Sequence, residues 1–74
     1  MREKIIEILK SVKSGVDFEN EMHIIDNNIL ESFDIIALVG KLSNEFDVEI
    51  TVAELIPENF NSVDAIVEMI EELE

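Results

Sequence analysis

Two serines in this chain, Ser32 and Ser62, stand where a helical pattern begins. Unpaired amides and the positive end of the helix dipole make such a place hospitable to a phosphoester. The same place suits a serine that does nothing but cap the helix, so helix-start chemistry alone does not separate Ser32 from Ser62. Hydrolase chemistry has little to build on. His23 is the single histidine, and no G-x-S-x-G-like elbow surrounds either serine. His23 reads as an exposed loop residue. The stretch from Asp26 to Glu31 opens like a calcium-binding loop, but Leu30 takes the fifth position and Glu31 the sixth, where glycine is required. That leaves diffuse cation binding and no dedicated metal site. With only Gly15 and Gly40 there is no glycine-rich phosphate loop, and the carboxylates are spread as solvated faces without a converging acid–base pair.

The elements that must position these residues follow from periodicity. Ile5, Ile8, Leu9 and Val12 recur at helical spacing with Ile6 beside them, which predicts a helix over residues 2–14, with Gly15 as a left-handed C-terminal cap. Residues 15–31 show no sustained period and are rich in turn formers. Seven of them are nonetheless large and apolar: Val16, Phe18, Met22, Ile24, Ile25, Ile29 and Leu30. A loop packed across the ends of a bundle is expected. A second helix is expected over 33–46 with Ser32 as its N-cap and Asp34 complementing the dipole. An extended connection comes next, then a short helical turn around Val52–Ile56 that Pro57 ends. The last helix is capped by Asn61 or Ser62 and buries Val63, Ile66, Val67, Ile70 and Leu73. The expected fold is all-α: one domain over residues 1–74, a small bundle of three main helices and one short one, with a long first loop.

The second helix is apolar on two sides. At ~100° per residue, Ile35, Leu38, Val39, Leu42 and Phe46 form a sufficient core stripe. Phe33, Ile36, Ala37 and Gly40 fall on the opposite side, where a surface helix would carry charges. Either the long loop covers that second stripe, or it is a surface on which a partner docks.

Eighteen acidic residues against five basic ones give a formal net charge of −13, which repels nucleic acid and anionic membranes and favours basic partners, besides keeping the chain soluble. There is no cysteine, hence no disulfide and no thiol nucleophile of the chain's own. The first residues lead into an amphipathic pattern unlike a signal peptide, and no apolar run approaches the ~20 residues of a membrane span. A soluble cytoplasmic monomer that binds neither nucleic acid nor the membrane interior is expected.

Three segments, in order between Asn28 and Ile66, carry a family resemblance. The run from Asn28 to Val39, Asn-Ile-Leu-Glu-Ser-Phe-Asp-Ile-Ile-Ala-Leu-Val, resembles the G-x-D-S-L-x-x-x-E-L-V attachment segment of acyl carrier and peptidyl carrier proteins. Glu45-Phe46-Asp47-Val48-Glu49-Ile50 resembles the E-F-x-x-x-I that comes after their second helix, and Phe60 to Ile66 is similar to the capped start of their last one. The resemblance implies a four-helix carrier with no catalysis of its own, bearing 4′-phosphopantetheine on the residue matching Ser32 and not on Ser62. It implies as partners a phosphopantetheinyl transferase using coenzyme A and magnesium, an acyl- or aminoacyl-activating ligase, and a downstream transferase or synthase. It also favours docking as the role of the second stripe, so that Glu31, Phe33, Asp34, Ile36, Ala37 and Gly40 are the expected partner surface.

Departures from the family pattern bear on subtype. Glu31 stands where Asp is usual and Phe33 where leucine is common. Ala37, Ser43 and Asn44 replace acidic residues usual in fatty-acid-synthesis carriers, and Lys41 adds a positive charge. Docking should therefore rely less on charge from this helix. Ser32-Phe33 followed later by Glu45-Phe46-Asp47 is similar to D-alanyl carrier proteins and free-standing peptidyl carriers, and leans towards a specialised acyl or aminoacyl cargo. The alternative is a carrier-like interaction protein that has lost the arm, for which Glu31 is the only support.

Overall fold

Apolar residues three and four apart decide where the long elements form and what they bury. In the computed structural model, which describes all 74 residues, α1 spans Arg2–Val12, α2 spans Ser32–Phe46, α3 spans Pro57–Phe60 and α4 spans Val63–Leu73. A 3-10 turn at Val52–Glu54 precedes α3. The chain is thus an all-helical bundle with no strand, in which α1 packs on α2 and on α4, and α3 packs on α4. No helix is long and apolar enough to cross a membrane.

Each long helix turns one stripe inward. Ile5 and Leu9 of α1, Leu38 and Leu42 of α2, and Val63, Ile66, Met69 and Ile70 of α4 are buried. Ile35, Val39, Phe46, Val67 and Leu73 lie at the margins of this core, partly exposed. Met69 joins the α4 stripe beyond the expected set; it stands three residues after Ile66, as the helical period requires.

The long loop supplies Phe18, Ile24 and Leu30 to the same core, all buried. Burying each of these side chains stabilises the fold by about 1.5–3 kcal/mol relative to leaving it in water. The loop's backbone closes on itself in two turns, with Glu21 N–H donating to Asp17 O at 3.1 Å and Asn27 N–H to His23 O at 2.8 Å. Asn28 takes a left-handed conformation, φ 55°, a region that asparagine tolerates better than most residues.

One residue ties this loop to the far end of the chain. The Asn61 side-chain oxygen accepts from the amides of Ile25 at 2.9 Å and Asp26 at 3.0 Å, and its Nδ2 donates to Asp26 Oδ2 at 3.1 Å. Its backbone carbonyl accepts from Ile24 N–H at 2.9 Å. A second tie lies at the start of α4, where Arg2 pairs with Asp64 and donates to the Glu19 carbonyl at 3.2 Å.

Several element ends differ from expectation, each for a local reason. Helix α1 stops at Val12 because Lys13 turns extended (φ −143°, ψ 117°) while its amide still reaches Leu9 O. Gly15 is left-handed, φ 83°, but lies two residues past that cap, so it redirects the loop and does not close the helix. Pro57 begins α3 and does not end the preceding turn; its missing amide costs nothing at a first helical position. Ser62, not Asn61, caps α4, its Oγ accepting from Ala65 N–H at 3.1 Å.

Replacing Asn61 by alanine leaves the Ile25 and Asp26 amides without their acceptor. Destabilisation of about 1–3 kcal/mol is expected in urea melts, since one of these amides is partly buried and needs a partner.

Candidate functional site

Helix α2 is started by two carboxylates. Glu31 is the N-cap residue and Asp34 the third helical residue; Asp34 Oδ2 accepts from the Glu31 amide at 3.1 Å, and the Glu31 side chain faces the Asp34 amide in return. Ser32 is therefore not the N-cap expected from the sequence but the first residue inside the helix. It is exposed, and its hydroxyl makes no hydrogen bond within the chain. Ser62 is the opposite case: it is only 8% exposed and its hydroxyl is committed to the α4 cap. Burial and bonding thus distinguish two serines that look alike in sequence.

Ser32 opens onto a cleft of about 450 Å³ lined also by Lys13, Ile25, Asn28, Leu30, Glu31 and Ile35. Ile25 and Ile35 line as well a smaller hollow of about 210 Å³, whose other walls are Leu55, Ile56, Pro57 and Phe60. The serine's polar cleft and this apolar hollow are thus neighbours. His23 lines neither of them, and no group of three or more histidine, cysteine or carboxylate side chains is placed to hold a metal ion.

The second stripe of α2 is bare. Phe33 is 85% exposed and Ile36 68% exposed, with Ala37 and Gly40 open beside them. The loop does not cover them, because its bulky residues Phe18, Ile24 and Leu30 are spent on the core. Glu31 is exposed with them, and Asp34 is partly exposed. Three apolar residues absent from the expected surface are also open: Val52, Leu55 and Ile56. The available signal for them is a short apolar segment just before a proline, since a single turn of helix has no broad face to bury.

The segment carrying them is braced by its own capping box. Glu54 Oε1 accepts from both the amide and the hydroxyl of Thr51, each at 2.7 Å. These bonds, the hydroxyl's first, hold the Glu54 carboxyl below the usual carboxylate range.

Neither a protein-family model nor a curated protein matches the chain.

Gly40 is a specific puzzle of this surface. Glycine inside a helix is destabilising by roughly 0.5–1 kcal/mol relative to alanine, yet nothing in the fold lies within 4 Å of a methyl group added there. Gly40→Ala is therefore expected to raise stability by about 0.5–1 kcal/mol in chemical denaturation. A destabilised variant would mean that this face is covered.

Proposed function

We propose that this chain is an acyl or aminoacyl carrier protein that holds its cargo as a thioester on a 4′-phosphopantetheine arm attached to Ser32. One observation carries the reading: Ser32 is exposed, its hydroxyl is free, and it opens onto a cleft, while the capping work at this helix end is done by Glu31 and Asp34. A serine with no structural task at the first position of a helix fits a phosphodiester, because nearby amides and the helix dipole favour negative charge there. The resemblance of the segment from Asn28 to Val39 points to the same residue.

The arm supplies a thiol, which this cysteine-free chain lacks. In the attachment reaction Ser32 Oγ forms a bond to the phosphorus nearer the pantetheine of coenzyme A. The pyrophosphate bond breaks, and the adenosine bisphosphate half departs with the electron pair. The hydroxyl proton goes to a base on the phosphopantetheinyl transferase. Magnesium bound by that transferase neutralises the leaving group.

The chain catalyses nothing in this reading; it presents cargo to an activating ligase and to a downstream transferase or synthase in the cytoplasm, as a monomer. Those enzymes dock on Phe33, Ile36, Ala37 and Gly40, which are apolar or small and exposed beside the serine. Glu31 and Asp34 border that patch with negative charge, and Val52, Leu55 and Ile56 add apolar surface. The scarcity of acidic residues along α2, with Ala37, Ser43 and Asn44 in their place, favours an aminoacyl or specialised acyl cargo over the fatty-acid pathway.

Incubation with coenzyme A, magnesium and a transferase should add one arm to the intact mass of the protein, and Ser32→Ala should gain nothing. A wild-type chain that stays unmodified with several transferases, or a Ser32→Ala chain that still gains the arm, overturns the assignment. An unmodified chain whose partner binding is abolished by Phe33→Asp would instead support an interaction module without an arm.

A further inference from the structure

The start of α2 already holds two carboxylates, Glu31 and Asp34, within one helical turn of Ser32. A phosphodiester on Ser32 would add a further negative charge at this spot, on a chain whose net charge is already −13. The helix dipole offsets part of that crowding, yet its favourable end is shared with the two carboxylates.

The cationic side chains are distributed unevenly around this problem. Of the five basic residues, Arg2 is engaged with Asp64, Lys4 and Lys41 line a separate cleft between α1 and α2 with Glu7 and Glu45, and Lys10 lines neither that cleft nor the serine's. Lys13 is the only basic residue lining the cleft onto which Ser32 opens. It is exposed and forms no ion pair with Glu31, although both line that cleft. Its backbone is fixed at the end of α1 by the bond from its amide to Leu9 O at 2.9 Å, and Leu9 is fully buried. A flexible side chain without an ion-pair partner is thus anchored at its base by the core and lines the cleft onto which the free hydroxyl opens.

We propose that Lys13 is a positioning residue for the modified serine: its ammonium pairs with the phosphodiester on Ser32 and holds the root of the arm in the cleft. The proposal rests on the carrier reading. Lys13 makes no contact with the reacting thioester in it, and its action is through the phosphate alone. An ammonium acts here as a point charge, so arginine should substitute for it and glutamine should not.

The test compares wild type, Lys13→Arg, Lys13→Gln and Lys13→Glu, each as the unmodified and the arm-bearing protein, by intact mass and by thermal melting at low salt. Lys13 is exposed and unpaired, so all four unmodified proteins should fold alike. Attachment should lower Tm more in Lys13→Gln than in wild type, by about 2–4 °C for a pair of surface strength in a domain of this size. Lys13→Glu should show a larger loss, Lys13→Arg none, and added salt should erase the differences. The phosphorus resonance of the arm should also shift in the glutamine variant and stay in place in the arginine one. Normal loading with the same Tm change and the same phosphorus resonance in all four proteins overturns the role of Lys13 and leaves the carrier reading standing. A wild-type chain that never gains the arm overturns both, and the mass spectrum shows which has failed.

Discussion

The clasp made by Asn61 is the constraint on which the placement of the site depends. A loop of nineteen residues, from Lys13 to Glu31, separates α1 from α2 and has no regular structure to hold it. Its middle is fastened by a single side chain from the α3–α4 junction, which satisfies two loop amides and one loop carboxylate. Those amides belong to Ile25 and Asp26, and Ile25 is a wall of both the serine's cleft and the apolar hollow beside it. With Ile24 and Leu30 buried on either side, the chain arrives at Glu31 in one defined place. The serine is presented by a loop that sends Phe18, Ile24 and Leu30 into the core while most of its polar residues face solvent.

Charge gives the molecule a second organising feature. The surface is heavily acidic, and among its few cations only Arg2 forms an ion pair. The carboxylates near Ser32 are used locally, as the cap of α2 and as a border to bare apolar side chains. That mixture supports the proposed docking role, since bare apolar side chains offer contact area and a border of negative charge favours a basic surface. The stability cost of Gly40 has no counterpart in the packing of the fold, because nothing lies within 4 Å of a Cβ added there.

Much of the bundle was legible in the sequence. Period decided α1, α2 and α4, and the apolar content of the loop correctly marked it as packed. Period could not say which residue of a Glu-Ser pair starts a helix; that depends on whether the Asp34 carboxylate reaches back to Glu31, which is a matter of side-chain geometry. It was equally blind to the difference between Ser32 and Ser62, since both come after polar residues and precede apolar ones. Burial separates them, and burial depends on tertiary packing: Ser62 sits under the clasp that joins loop and bundle, Ser32 at an open rim. Pro57 was ambiguous for a related reason. A proline can stop a helix on its N-terminal side or start one on its C-terminal side, and the packing of Phe60 into the core decided for a short helix.

The most direct test of the account is the covalent state of the protein isolated from its own cells, mapped by tandem mass spectrometry of its peptides. The account predicts a phosphopantetheine arm on the peptide that contains Ser32, with any cargo joined to the arm through a hydroxylamine-labile thioester, and an unmodified Ser62. An arm on another residue, or a chain unmodified at Ser32 throughout the population, would contradict it.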